Sequence, residues 1–197
     1  MKSRHIKFIT LLLCTLALCM TASAGCSKKT DAQPESTEAP TAEVEVKSGT
    51  TIEDGILLVG ISSSPYINEA EDGKVEGFEI DLAKAIGELT FLDVKFVKMD
   101  YNGIYAELDT SSFDCVMSGV EISDAVDKVY DFSVSYYTDD NGHEIGAVVK
   151  SGNNRLLNVL NKSIVTLKSS GKMDELYEKW FAMDETGEST NQESNKK

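Results

Sequence analysis

GFEIDLAKAIGEL, residues 77–89, places Phe78, Leu82, Ile86 and Leu89 on one stripe of a 3.6-residue period, which predicts a helix with one buried face. Runs of a different character flank it. GILLVGI (55–61) is a short continuous apolar run, as expected of a strand covered on both faces, and DVKFVKM (93–99) is the next strand. Further out, YNGIYAEL (101–108) reads as a short helix and FDCVMSG (113–119) as a third strand. Strand, helix, strand, helix, strand requires right-handed crossovers and a parallel sheet, so the fold class is α/β.

Beyond residue 129 the pattern changes. VYDFSVSYY (129–137) puts Tyr130, Phe132, Val134 and Tyr136 at alternate positions, and TDDNGHEIGAVVK (138–150) follows. Asn141-Gly142 suits a two-residue type I′ turn, in which both positions need positive φ, so 130–139 and 144–150 are expected to pair antiparallel. Two helices close the chain. Leu156, Leu160, Ile164 and Leu167 mark the first, Met173, Leu176, Tyr177, Trp180 and Phe181 the second, with Gly171 as the stop between them. The expected architecture is a mainly parallel five-stranded sheet with one antiparallel hairpin strand and flanking helices.

Open α/β sheets bind ligands at the carboxyl ends of their strands. Three such ends converge here: Ser62 to Tyr66, Tyr101, and the Ser118-Gly119 corner. Two aromatic rings and a Ser-Gly corner make a rim for a small molecule, although each tyrosine taken singly serves packing as readily as binding. The stretch that leaves the corner, SGVEISDAVDKVYDFS (118–133), carries four acids and one base, which disfavours an anionic guest.

The ends of the chain place it in the cell. Lys2, Arg4 and Lys7 precede an apolar run from Phe8 to Met20 that is short for a membrane span, so residues 1–25 read as a secretory signal peptide. Residues 26–51 are rich in Ser, Thr, Pro, Glu and Lys and read as a flexible linker with a reach of about 80 Å at ~3.3 Å per residue. That leaves 52–183 for one folded lobe and 184–197 for a polar tail. Loss of the signal peptide takes the formal charge from −14 to −17, which argues against nucleic acid and against direct adhesion to anionic lipid. Of four cysteines, Cys14 and Cys19 leave with the signal, and Cys115 within FDCVMS reads as a small buried hydrophobe. No disulfide framework, metal site or cofactor is expected.

Two resemblances sharpen this picture. Ala24-Gly25-Cys26 resembles a bacterial lipobox, which implies that Cys26 becomes a lipidated first residue; Ser23 stands where an aliphatic residue is usual, and cleavage after an A-x-A-like site would give plain secretion instead. LLVGISSSPYINEAEDGKVEGFEIDLAKAI, FVKMDYNGIYAEL, FDCVMSGVEIS, VYDFSVSYY and the closing GAVVKSGNNRLLNVLNKSIVTLKSSGKMDELYEKWF together resemble the extracytoplasmic solute-binding proteins of polar amino-acid ABC transporters. The resemblance implies a type II periplasmic-binding fold, a small polar solute (amino acid or amine) as ligand, an ABC transporter permease as partner, and a place outside the cytoplasm. Residue by residue, it implies that Tyr66 and Tyr101 line the ligand, that Ser118 and Gly119 form the corner meeting its amino or carboxylate end, and that Ser123 supplies a hydroxyl.

The chain departs from that pattern twice. Glu121 stands where the family has a threonine, and Val126 where it has the arginine that clamps the ligand carboxylate. A bidentate guanidinium–carboxylate pair supplies two charge-assisted hydrogen bonds of about 1.5–3 kcal/mol each; valine supplies none. Only Thr138 to Glu144 fills the place where the family inserts a second lobe. The expectation is therefore a lipid-anchored single lobe that binds α-amino acids no better than roughly millimolar and leans toward amines. An interaction or sensory module using the exposed half-cleft is the alternative, followed by a periplasmic dehydratase-like enzyme. Against an enzyme, His143 lies in the expected turn and His5 in the signal peptide.

Overall fold

The structure, a computed structural model, describes residues 43–70 and 72–182. The expected signal peptide, the expected lipidation site Cys26, residues 26–42 of the expected linker and the expected tail 184–197 lie outside the described residues.

Strand β1 (Ile56–Ile61) opens the fold, and a small hairpin of β2 (Asn68–Glu69) and β3 (Val75–Glu76) follows. Helix α1 (Phe78–Thr90), strand β4 (Asp93–Lys98), a 3-10 turn at Tyr101–Gly103, helix α2 (Ile104–Asp109) and strand β5 (Cys115–Val116) complete the first half. Strands β6 (Tyr130–Phe132), β7 (Tyr137–Thr138), β8 (Glu144–Ile145) and β9 (Val148–Lys150) lead to helices α3 (Asn154–Ser169) and α4 (Lys172–Phe181). The central sheet runs β4-β1-β5-β9-β6. β1 is parallel to β4 and β5, whereas β9 runs antiparallel to β5 and β6. It is therefore the expected mainly parallel sheet, and β9 is its one reversed strand.

Alternation along these short strands fills a core on each face. Cys115 and Val149 point into the larger core with Leu57, Val59, Phe78, Leu82, Ile86, Leu156, Leu160 and Ile164; Val116 and Val148 point into the smaller one with Ile104, Leu108, Phe113 and Tyr130. Both faces are covered, which is why GILLVGI carries no polar alternation. Each of the fully buried α1 side chains Leu82 and Ile86 contributes about 1.5–3 kcal/mol of apolar burial.

Two expectations need correction. The ordered chain begins before Thr51: Val44 is buried with its N–H bonded to the Leu89 carbonyl at 3.1 Å, Thr50 and Thr51 are buried, and the Ile52 N–H reaches the Asp114 carboxylate at 2.6 Å. The linker composition hid Val44 and Val46, two apolar side chains that pay for ordering because Asp114 and Asp54 capture backbone N–H groups nearby.

The second correction concerns the antiparallel pair, which is not continuous. It breaks into β6/β9 and β7/β8 around Ser133, a buried residue whose hydroxyl donates to the Val134 carbonyl and accepts the Ala147 N–H, while the Val134 N–H turns out to Asn161. Alternation fails across this bend, so Tyr130 and Phe132 belong to the smaller core and Tyr136 to the larger. The turn is also not type I′. Gly142 takes φ +86 but Asn141 does not take positive φ. The Gly142 N–H bonds to Asp139 O and the Asp139 N–H to His143 O, each at 2.9 Å, the pattern of a type I turn closed by a glycine bulge. The Asp139 carboxylate decides it, accepting the N–H groups of Asn141 at 2.9 Å and His143 at 2.8 Å.

Candidate functional site

The carboxyl ends of β1, β4 and β5 share one edge of the sheet, and β5 runs directly into Ser118 and Gly119. Ser118 is buried, and its hydroxyl donates to the Ser62 carbonyl at 3.1 Å while accepting the Ser62 N–H at 2.9 Å. Its side chain thus ties two strand ends together. Gly119 takes φ +64 beneath the Tyr66 ring, and a Cβ there would stand 3.2 Å from that ring and 3.3 Å from Ser64 Cβ. Glycine meets both the conformation and the space without strain, whereas a side chain would have to push the Tyr66 ring aside.

The Gly119 N–H points inward to the carboxylate of Glu79 at 2.8 Å. Glu79 sits in the first turn of α1 and is 1% exposed. It also accepts the Tyr136 hydroxyl in a short hydrogen bond and the Ser64 hydroxyl at 3.2 Å. Burial pushes this carboxyl up from its ordinary range, while the bonds from Tyr136, Gly119 and Ser64 pull it back. Burial first, and then the facing Glu79 carboxylate, push the Tyr136 phenol well up, so it stays a donor. Sequence reasoning missed Glu79, yet a signal was present: an acid three and seven residues before Leu82 and Ile86 lies on the apolar stripe itself.

Tyr66 is half-buried, with its ring 5.0 Å from Tyr137 and 6.2 Å from Phe181, both edge-on. Burial, then the neighbouring Tyr137 and Asp139, push its phenol up to about 12. The fold therefore brings Tyr66, Ser118 and Gly119 together and adds Tyr137 and Phe181, which sequence reasoning had placed in a strand and a helix face without linking them. Tyr101 stands apart. It is 50% exposed at the start of the 3-10 turn capped by Asp100, and the ring contacts of Tyr66 are to Tyr137 and Phe181. Glu121 is exposed and bridges to Ile145, close enough to His143 to help raise its pKa after the larger effect of Asp139. Ser123 is half-buried and its carbonyl accepts the N–H groups of Val126 and Asp127. Val126 packs against the smaller core.

A cavity of about 160 Å³ opens at the ends of β1 and β4, lined by residues that include Ser62, Ser63, Lys98 and Met99. A larger cavity, about 590 Å³, lies at the other end of these strands between 43–55 and Thr90–Leu92, away from the corner. Among the described residues, no group of three or more His, Cys, Asp and Glu side chains is placed to hold a metal ion.

Comparison with known proteins agrees with this geometry. The family model described as bacterial extracellular solute-binding proteins, family 3, matches residues 57–183. The L-cystine-binding protein TcyJ of Escherichia coli is 35% identical over 103 residues, 51% of this chain and 37% of its own length. The chain spans less than half the length of the curated relatives it matches. Among solved structures, the arginine-bound form of domain 1 from TmArgBP is 32% identical with a TM-score of 0.53, covering 56% of this chain and 92% of that one. An ancestral arginine-binding protein bound to arginine shares the fold at a TM-score of 0.61 and 23% identity, covering 65% of this chain and 99% of that one.

Proposed function

The chain belongs to the bacterial extracellular solute-binding proteins, family 3, and from that premise we propose that it is a lipid-anchored, single-lobe solute-binding protein with weakened and altered amino-acid binding. The observation that supports this reading is the tight turn Asp139–Gly142 joining β7 to β8, at the point where the resemblance implies that the family inserts a second lobe. A ligand at this edge has protein on one side and water on the other, whereas small-molecule sites usually bury about 70–90% of their guest. The corner adds to the loss. Gly119 commits its N–H to Glu79, Val126 is packed into an apolar cluster, and Glu121 repels a carboxylate.

What remains favours amines and cationic amino acids, which Glu121 would pair and the ring of Tyr66 would face. The arginine-bound state of domain 1 from TmArgBP supports amino-acid binding by one lobe alone. The proposed anchor is Cys26, the proposed location is the outer face of the cytoplasmic membrane, and the proposed partner is an ABC transporter permease. The relatives reported above are binding proteins, which supports binding rather than catalysis.

Calorimetry of the full chain against alanine, glutamate, L-arginine and putrescine tests the binding. Neutral and acidic amino acids are expected at roughly millimolar, about −4 kcal/mol, with L-arginine and putrescine tighter. Micromolar binding of alanine or glutamate would show that neither the lobe nor the clamp is limiting. For the anchor, Cys26→Ser is expected to release the protein or leave its signal uncleaved; a variant that stays membrane-bound and normally processed places the anchor elsewhere.

A further inference from the structure

The cavity at the ends of β1 and β4 holds a charge pair that the corner residues do not use. Lys98, the last residue of β4, puts its ammonium 2.5 Å from the Glu69 carboxylate and 2.9 Å from the Gly73 carbonyl, so it joins the central sheet to the β2/β3 hairpin. Both side chains remain about half exposed, at 47% and 59%, and both line the cavity. Apolar wall comes from Ile61, Ile67, Val75 and Met99. An apolar wall with a few fixed polar groups at the carboxyl ends of strands is the usual lining of a small-molecule site in an open α/β sheet, and at about 160 Å³ this cavity has room for the head of a ligand only.

We infer that this Lys98–Glu69 cavity is the subsite for the charged head of an α-amino acid, with the carboxylate on Lys98 and the ammonium on Glu69. The inference rests on the amino-acid-binding reading above and adds to it the place of carboxylate recognition. A zwitterion carries the same two charges as the resident pair, so each side chain exchanges one opposite charge for another and no charge is left unpaired. The corner offers no such exchange. Its Gly119 N–H already serves Glu79, and position 126 carries no cation. Lys98 is the base that the ends of β1 and β4 present to a carboxylate within this cavity. Water reaches the pair, so screening holds its effect well below that of a buried clamp.

The experiment compares L-arginine with agmatine, which is arginine without its carboxylate, by calorimetry on the full chain and on Lys98→Met. Lys98→Met is expected to weaken L-arginine roughly 2- to 5-fold and not to weaken agmatine, whose ammonium meets a Glu69 freed from Lys98. Equal weakening of both ligands, or none for L-arginine, overturns the inference while leaving the binding reading intact. Failure of the wild-type chain to bind either ligand overturns both. Should Lys98→Met not fold, resonances of the wild-type chain decide. L-Arginine is expected to shift Ile67, Val75 and Met99, whereas shifts confined to Tyr66 and Glu121 reject the cavity.

Discussion

Removing one oxygen, in Tyr136→Phe, takes from the buried Glu79 carboxylate one of its three donors and leaves the ring packing unchanged. The Tyr136 side chain is fully buried, so no water replaces the lost hydroxyl, and Gly119 and Ser64 remain as donors. A hydrogen bond to a charged group contributes about 1.5–3 kcal/mol, and that is the expected loss at pH 7. At about 4 °C per kcal/mol for a domain of this size, the melting temperature falls by roughly 6–12 °C. The pH dependence identifies the cause. Burial raises the folded pKa of Glu79 above the ordinary glutamate value of 4.5, so its contribution is most favourable below 4.5 and falls as pH rises through the window up to the folded pKa. With one donor gone the window extends upward, and the variant loses more stability against the wild type at pH 7 than at pH 4. Paired thermal melts at the two pH values measure this. An equal loss at both would show that the hydroxyl does not serve an ionised carboxylate, and no loss at either would remove the network from the account of the fold.

Three further outcomes follow from local geometry. Asp114→Ala removes the acceptor for the N–H groups of Ile52 and Leu58, and is expected to cost about 1–3 kcal/mol and to speed proteolytic cleavage between 43 and 55; unchanged cleavage would detach that segment from Asp114. Gly142→Val meets open space but must hold φ near +86, so a loss of about 1–2 kcal/mol is expected, whereas Asn141→Ala at a position of ordinary φ is expected to melt as the wild type does. Equal losses at both positions would restore a type I′ turn. In NMR titration His143 is expected to have its midpoint above 6.5, because its Nδ1 lies 3.0 Å from the Asp139 carboxylate. Its stabilising contribution is complete below 6.5 and is lost as pH rises through the raised pKa, and Asp139→Asn is expected to return the midpoint toward 6.5.

Periodicity alone determined most of the architecture. The stripe of Phe78, Leu82, Ile86 and Leu89, the run GILLVGI and the helices on either side of Gly171 each declare local structure, because burial on one face or two dictates which positions are apolar. The convergence of Tyr66, Ser118 and Gly119 was also legible, since parallel strands in one sheet necessarily end at one edge.

Tertiary structure decided what each group at that edge faces. Whether the Gly119 N–H meets a ligand or Glu79 depends on how α1 docks under the corner, and no local pattern records that docking. The bend at Ser133 arose from hydrogen bonds to Val134 and Ala147, and the true turn from the reach of Asp139, so the dipeptide Asn141-Gly142 was overruled by an acid two residues earlier. The segment from Val44 to Thr51 became ordered for the same reason. A polar stretch with two valines has too little apolar surface to fold by itself, but it is held where a carboxylate distant in sequence, Asp114, captures its continuation at Ile52. Side-chain period is a property of neighbours along the chain, whereas the satisfaction of buried donors and acceptors is a property of neighbours in space, and only the folded arrangement fixes the second.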